Sequence, residues 1–108
     1  MVLLFSSHNI DRIYEALVVG TKIPSHGTLE GNISRHKTKR THMAIDPIKG
    51  KHSVTHYKVL DYFSNLTHLE LKLETGRTHQ IRVHLSSLLK NAILNDHVYG
   101  NPKEHIRR

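Results

Sequence analysis

The sequence predicts an α+β domain: a mainly antiparallel β-sheet with one amphipathic helix at about residues 78–89. Three observations predict it. Apolar and polar residues alternate through 53–63 and 66–74, the period of a strand with one buried face. After Gly76 the apolar spacing switches to the three-and-four step of a helix. Strands that run on into a single strong helix favour segregated α+β over an alternating parallel fold. The 108 residues suit one domain of the usual ~50–250 residues, burying roughly 65% of the surface its unfolded form exposes.

Residues 14–19 read as a short, mostly buried strand that ends at Gly20. Residues 24–27 are a turn, and 28–34 a strand weakened by Gly31. The basic run 35–40 leads into 41–46, and 47–50 turns the chain again. In 53–63, Thr55, Tyr57 and Val59 share one face and His56 and Lys58 the other. In 66–74, Leu69, Leu71 and Leu73 oppose His68, Glu70, Lys72 and Glu74. The short link 64–65 makes these two runs an antiparallel hairpin. Thr78 is the expected helix N-cap. Ile81, His84, Leu85, Leu88 and Leu89 form the apolar stripe, while Thr78, Arg82 and Ser86, with His79 beside them, lie on another side. Ile93 and Leu94 follow as a short apolar stub before Asp96 and the loop 99–102.

Composition narrows the function. Aromatics are 6% with no Trp, so the core is built mainly from Leu, Ile and Val. Sixteen Lys and Arg against nine Asp and Glu leave a net charge of +7. A pI near 9.9 makes nucleic acid the first partner to consider. Seven basic residues and one acid within 35–58 give that window a net +6, and a polyanion bound there would release counterions. A basic run also marks many merely solvated loops, so the run alone leaves the partner open.

The absence of cysteine excludes a disulfide framework, thiolate metal sites and a Cys nucleophile. No run approaches the ~18 apolar residues of a membrane span. The apolar start at 1–5 gives way to Ser6, Ser7 and His8 before a signal-peptide core forms, so a soluble cytosolic protein is expected. The eleven histidines gain charge as pH falls through ~6.5. They lack the ligand spacing of a metal site: His52 and His56 share one side of a strand too far apart to chelate, and His79 and His84 lie on different sides of the helix. His84, in the stripe, reads as a satisfied core histidine. No Gly-x-Ser-x-Gly elbow and no phosphate- or dinucleotide-binding glycine loop occurs. In 74–84, a glycine turn opening a helix offers backbone N–H groups, with Arg77 and Arg82 placed to hold a phosphate or orient a carboxylate. The same residues also fit a strand end at Gly76 and a surface ion pair at Arg82.

The block Thr75-Gly76-Arg77-Thr78-His79-Gln80-Ile81-Arg82-Val83-His84, after Leu73-Glu74, resembles the C-terminal signature of the RluA-type pseudouridine synthases of ribosomal and transfer RNA. Further pieces fall in that family's order. They are Tyr14-Glu15-Ala16-Leu17-Val18 with Gly20, Arg35-His36 with Lys39-Arg40 and Met43-Ala44, and Gly50-Lys51 running to Val54-Thr55-His56-Tyr57. Asp96 with Tyr99-Gly100 resembles the closing motif. The likeness spans roughly 10–102.

The resemblance implies an isomerase that turns uridine in RNA into pseudouridine without a cofactor or metal, flipping the target nucleotide into a pocket. By motif position, Tyr14 would stack on the uracil and help remove a proton from its ring, and Arg82 would pair with the essential aspartate. Arg35, Lys37, Lys39, Arg40, Arg77, His79 and Gln80 would face the RNA. The His-Arg-Leu-Asp-type motif that carries the aspartate does not occur here, and Asp46, Asp61 and Asp96 are poor substitutes. The first ten residues look like the tail of the helix that follows that motif. Leu89-Lys90-Asn91-Ala92 replaces the usual Gly-His-Pro, and Asn95 stands where glycine is usual. Residues 1–108 are therefore expected to form a single partial catalytic domain, lacking the aspartate segment and C-terminal strands and inactive alone. The alternative is a non-catalytic RNA-binding remnant.

Overall fold

Alternation in the sequence becomes a five-stranded antiparallel sheet in the computed structural model, which describes residues 4–8 (backbone), 12–39 and 41–100. The strands are β1 (Leu4–His8), β2 (Ile13–Val19), β3 (His26–Glu30), β6 (Val54–Tyr62) and β7 (Leu66–Leu73), in the order β1-β2-β7-β6-β3. A two-stranded hairpin of β4 (Ile33–Arg35) and β5 (Met43–Ile45) stands beside it. Helix α1 (Gln80–His84) continues directly into a π-helical turn, Leu85–Leu89. This is the α+β, mainly antiparallel arrangement that the two periodicities predict.

The expected hairpin forms between β6 and β7, with Val59 opposite Leu69 and Tyr57 opposite Leu71. A register shift between Val59 and Asp61 breaks the alternation there, which leaves Leu60 exposed. Ala16, Val18, Leu69, Leu71 and Tyr57 turn one sheet face toward Ile81 and Leu85 of the helical segment, forming the core with Ile23, Leu29 and Ile93. Ile93 bridges Val18, and the Leu94 amide N–H donates to Leu17 O. The apolar stub thus lies along β2 beyond the residues that β1 covers. No helix among the described residues is long and apolar enough to cross a membrane.

Five local expectations are corrected. Residues 4–8 form a strand, not a helix tail: β1 pairs with β2, with Leu4 opposite Ala16 and Ser6 opposite Tyr14. The strand expected at 28–34 is two strands, because Gly31 is drawn inward, its N–H to Ser53 O and its carbonyl to His84. The turn expected at 24–27 is shorter, since His26 and Gly27 already pair with β6. Thr78 is not the N-cap. His79 takes that place in the left-handed region at φ 54, with no side-chain cap bond. The helix is also less regular than its stripe implies: the π turn shifts the phase, so Leu88 is exposed while Gln80 and Val83 are buried.

A candidate uridine cavity and RNA-facing edge

The motif block 75–84 folds around Gln80. Its carboxamide is buried, 2% exposed, and all of its polarity is used internally. Oε1 accepts from Thr75 Oγ1 (2.7 Å) and from the Arg77 amide N–H (3.0 Å). Nε2 donates to Val54 O and Thr55 Oγ1, both at 2.9 Å. Thr55 then donates its hydroxyl hydrogen to His84 Nδ1 (2.9 Å), and His84 Nε2–H donates to Gly31 O (3.0 Å). This chain of bonds sets the tautomer of His84. Burial holds its imidazole below the ordinary histidine pKa, although the Gly31 carbonyl pulls the other way. Two expectations change. Gln80 anchors the turn onto β6 and has no amide atoms left to face RNA. The Arg77 N–H is likewise consumed and is not available to a phosphate.

Arg82 projects from α1 onto Asp96, giving Nε to Oδ2 (2.9 Å) and Nη2 to Oδ1 (2.8 Å). The carboxylate is fully buried (0% side-chain exposure), the guanidinium 18% exposed. Oδ1 also accepts the amide N–H of Val98 (3.0 Å) and Tyr99 (3.1 Å). Burial would raise the Asp96 carboxyl pKa, but the Arg82 bond and these two amides outweigh it and hold it below the carboxylate range. Asp96 in turn raises the pKa of Arg82. Arg82 therefore has an acidic partner in the closing motif, as the ion-pair alternative allows, but that carboxylate is buried and not at the surface.

Tyr99 ties this pair to the hairpin. The Arg82 guanidinium lies 5.1 Å from its ring centroid, within cation–π range. Its hydroxyl accepts the Met43 amide N–H (2.9 Å) and shares a 2.7 Å hydrogen bond with His79 Nδ1. His42 Nε2–H donates to Val98 O nearby (3.1 Å). Burial first, then the Arg82 charge, holds His79 below the ordinary histidine pKa.

Tyr14, at the start of β2, and Arg82, far along the chain, line one cavity of about 260 Å³ with Leu73, Arg77, His79 and Ile81. That is slightly below the ~300–1,000 Å³ of drug-sized sites, a fit for one flat ring. Its walls pair apolar surface from Tyr14, Leu73 and Ile81 with cationic Arg77 and Arg82. Arg77 is fixed by Nε and Nη2 bonds to His52 O at 3.1 and 3.0 Å.

The basic run lies on the β4–β5 hairpin. Arg35 is exposed on β4, and Lys37 and Lys39 are exposed on the connecting loop. That loop is held by His36 Nδ1, which accepts the amide N–H of Thr38 and Lys39. Arg40 lies outside the described residues. Three further histidines pair with acids: His52 with Glu30, His56 with Glu74, His68 with Glu15. Sequence reasoning missed the Arg82–Asp96 fork, Tyr99 and His42. The Asp96 and Tyr99-Gly100 motif was their signal, but it does not disclose which side chain they meet. Arg12 was missed outright, and its guanidinium lies beside Gly76.

Comparison with known proteins now bears on this geometry. A family model described as RNA pseudouridylate synthase matches residues 1–87. The chain is 47% identical over 100 residues to ribosomal large subunit pseudouridine synthase D of Vibrio cholerae, covering 93% of this chain and 30% of that protein. It is 50% identical over 91 residues to the Escherichia coli protein of the same name, covering 84% of this chain and 27% of that one. The solved human RNA pseudouridylate synthase domain containing 1 superposes with a TM-score of 0.75 at 33% identity, over 89% of this chain and 44% of that one. The chain thus spans under a third of the length of these curated relatives. It belongs to the RNA pseudouridylate synthase family.

Proposed function

We propose that these residues supply the uracil-holding wall and the RNA-facing edge of an RNA pseudouridine synthase, as one partial catalytic domain. One observation carries the reading: Tyr14 and Arg82 line the same ring-sized cavity. The flipped uracil stacks on the Tyr14 ring, since an aromatic face accepts a base whatever its sequence context. Arg82 orients the attacking carboxylate through a paired, charge-assisted contact. Asp96 engages two of the five N–H donors of Arg82, and the incoming carboxylate takes others.

Asp96 itself is not the attacking group, because its oxygens are buried and held by Arg82, Val98 and Tyr99. The bond between uracil N1 and ribose C1′ breaks, the base turns, and C5 bonds to C1′; the C5 proton leaves with help from the Tyr14 hydroxyl, and N1 takes up a proton. The carboxylate this needs belongs to a motif absent from the 108 residues, so these residues alone turn over no uridine. Ribosomal RNA, met in the cytoplasm, is the substrate class that the relatives' names favour. In this reading Arg35, Lys37, Lys39, Arg77 and His79 contact it.

The test is tritium release from structured RNA labelled at uridine C5, with the chain alone and with an added N-terminal half of a relative carrying the aspartate motif. Release is expected only with the added half; it is lost in Arg82→Ala, and in Tyr14→Phe, which keeps the stacking ring but removes the hydroxyl that helps take the ring proton. Salt-sensitive RNA binding without release under either condition supports the binding-remnant alternative instead.

A further inference from the structure

We propose that a second, cationic groove beside the uridine cavity is a track for the phosphates flanking the target nucleotide, with Lys49 and Lys51 as its main grips. It rests on the proposed function and adds a place for the backbone. The groove encloses about 470 Å³ and is lined by Arg35, Lys49, Lys51 and Arg77 without an acidic side chain.

These cations come from three separate stretches: β4, the turn between β5 and β6, and the turn before α1. Their convergence is a product of folding, beyond what a basic run in sequence supplies. The lysine-bearing turn is built to be rigid. Asp46 Oδ1 accepts the amide N–H of Ile48 and Lys49, both at 3.0 Å. These two bonds hold the Asp46 carboxyl below its usual range and aim it into its own turn. Asp46 lines a separate cleft on the hairpin, with Ser34 and His36.

Gly50 lies so close to its surroundings that an added Cβ would stand 2.5 Å from Asp46 O and 2.6 Å from the Asn32 carbonyl carbon. Lys51 is then pinned to β4 by two backbone bonds with Ile33, each 2.9 Å. Both lysine side chains are exposed. Hydrated ammonium groups on a fixed backbone suit phosphate contacts, which position a nucleic acid without reading its bases. Arg77 lines both the groove and the cavity. A strand whose base enters the cavity therefore carries its next phosphates into the groove, and this continuity selects an RNA backbone over an acidic peptide.

The test is fluorescence anisotropy of a short labelled oligouridine on the full chain across a salt series. Each phosphate contact on a single strand contributes about 0.7 to the slope of log affinity against log salt. The variant Lys49→Gln/Lys51→Gln is expected to reduce that slope by roughly 1.4 and to weaken binding roughly tenfold at low salt. Its thermal midpoint should not change, since the bonds that pin the turn are made by backbone. The control Lys22→Gln/Lys90→Gln removes the same charge at the other end of β2 and is expected to leave the slope unchanged. An unchanged slope in the Lys49/Lys51 variant, or an equal loss in the control, overturns the groove. A slope that depends on Lys49 and Lys51, with no tritium release from the supplemented chain, supports the groove and removes the isomerase reading alone.

Discussion

Arg82 and Asp96 share two N–H···O bonds where water is excluded on the carboxylate side. Removing one partner leaves the other charge stranded, a change that costs about 3–5 kcal/mol when the pair is buried. Asp96→Asn is accordingly expected to destabilise by about 3 kcal/mol in urea denaturation. Arg82→Ala/Asp96→Ala should cost less than the sum of its single changes, with a coupling of roughly 1–3 kcal/mol. Additive costs would mean that the pair does not act as a unit.

His84 makes a second prediction at this scale. Its folded pKa is depressed, by burial foremost, so the unfolded chain takes up a proton there first as pH falls. Its contribution is whole above about pH 6.5 and is lost below that, at no more than ~1.4 kcal/mol per pH unit. The urea midpoint should drop on acidification, and His84→Gln, which can still donate and accept, should flatten part of the drop. His79 shares the direction of shift and leaves a residual slope. The satisfied His84 was legible in the sequence from its place in the apolar stripe, and the sequence named Tyr14 and Arg82, which the fold brings to one cavity. Their partners were not, because a motif names a residue type and only tertiary packing decides that Arg82 meets Asp96.

At the scale of elements, strands were easier to read than the helix and its start. Period-two alternation is enforced by a sheet with one buried face, so Leu69 and Leu71 fell where the pattern put them, 0% exposed. Gly31 and Gly76 both read as weak points, but the split of 28–34 depends on the call of His84 and Ser53 on the Gly31 backbone. Those partners lie far away in sequence. The helix start shows the same override of local propensity. Thr78 looks like a cap, yet the turn is organised by the Gln80 carboxamide, which holds four partners on two segments, the turn itself and β6. Thr78→Ala should therefore cost under about 0.5 kcal/mol, against ~1 for a true cap. Gln80→Ala should cost roughly 3 kcal/mol, because it leaves buried donors and acceptors unmatched. Chemical denaturation of the two variants checks the order, and a larger loss at Thr78 would restore the capping reading.

The whole molecule is polarised along its strands. Tyr14 opens β2, Leu73 closes β7, and the turns carrying Arg77 and Lys49 gather at that same end. Gly20, Asn65 and Leu94 line a cavity at the other. The sequence disclosed the charge concentrated in 35–58 but not the strand order that sets it beside Tyr14, since pairing of β2 with β7 joins distant segments. Stability and RNA affinity should consequently separate. Thr67, fully buried, donates its hydroxyl to Gly20 O at 2.7 Å at the far end. Thr67→Val keeps the shape and strands that carbonyl, at a cost of about 1–2 kcal/mol. Thermal unfolding should record this loss, while oligouridine affinity well below the melting range stays within twofold of the parent. A matching fall in affinity would mean that the two ends of the sheet are coupled, and that the RNA-facing edge is not held by its local bonds alone.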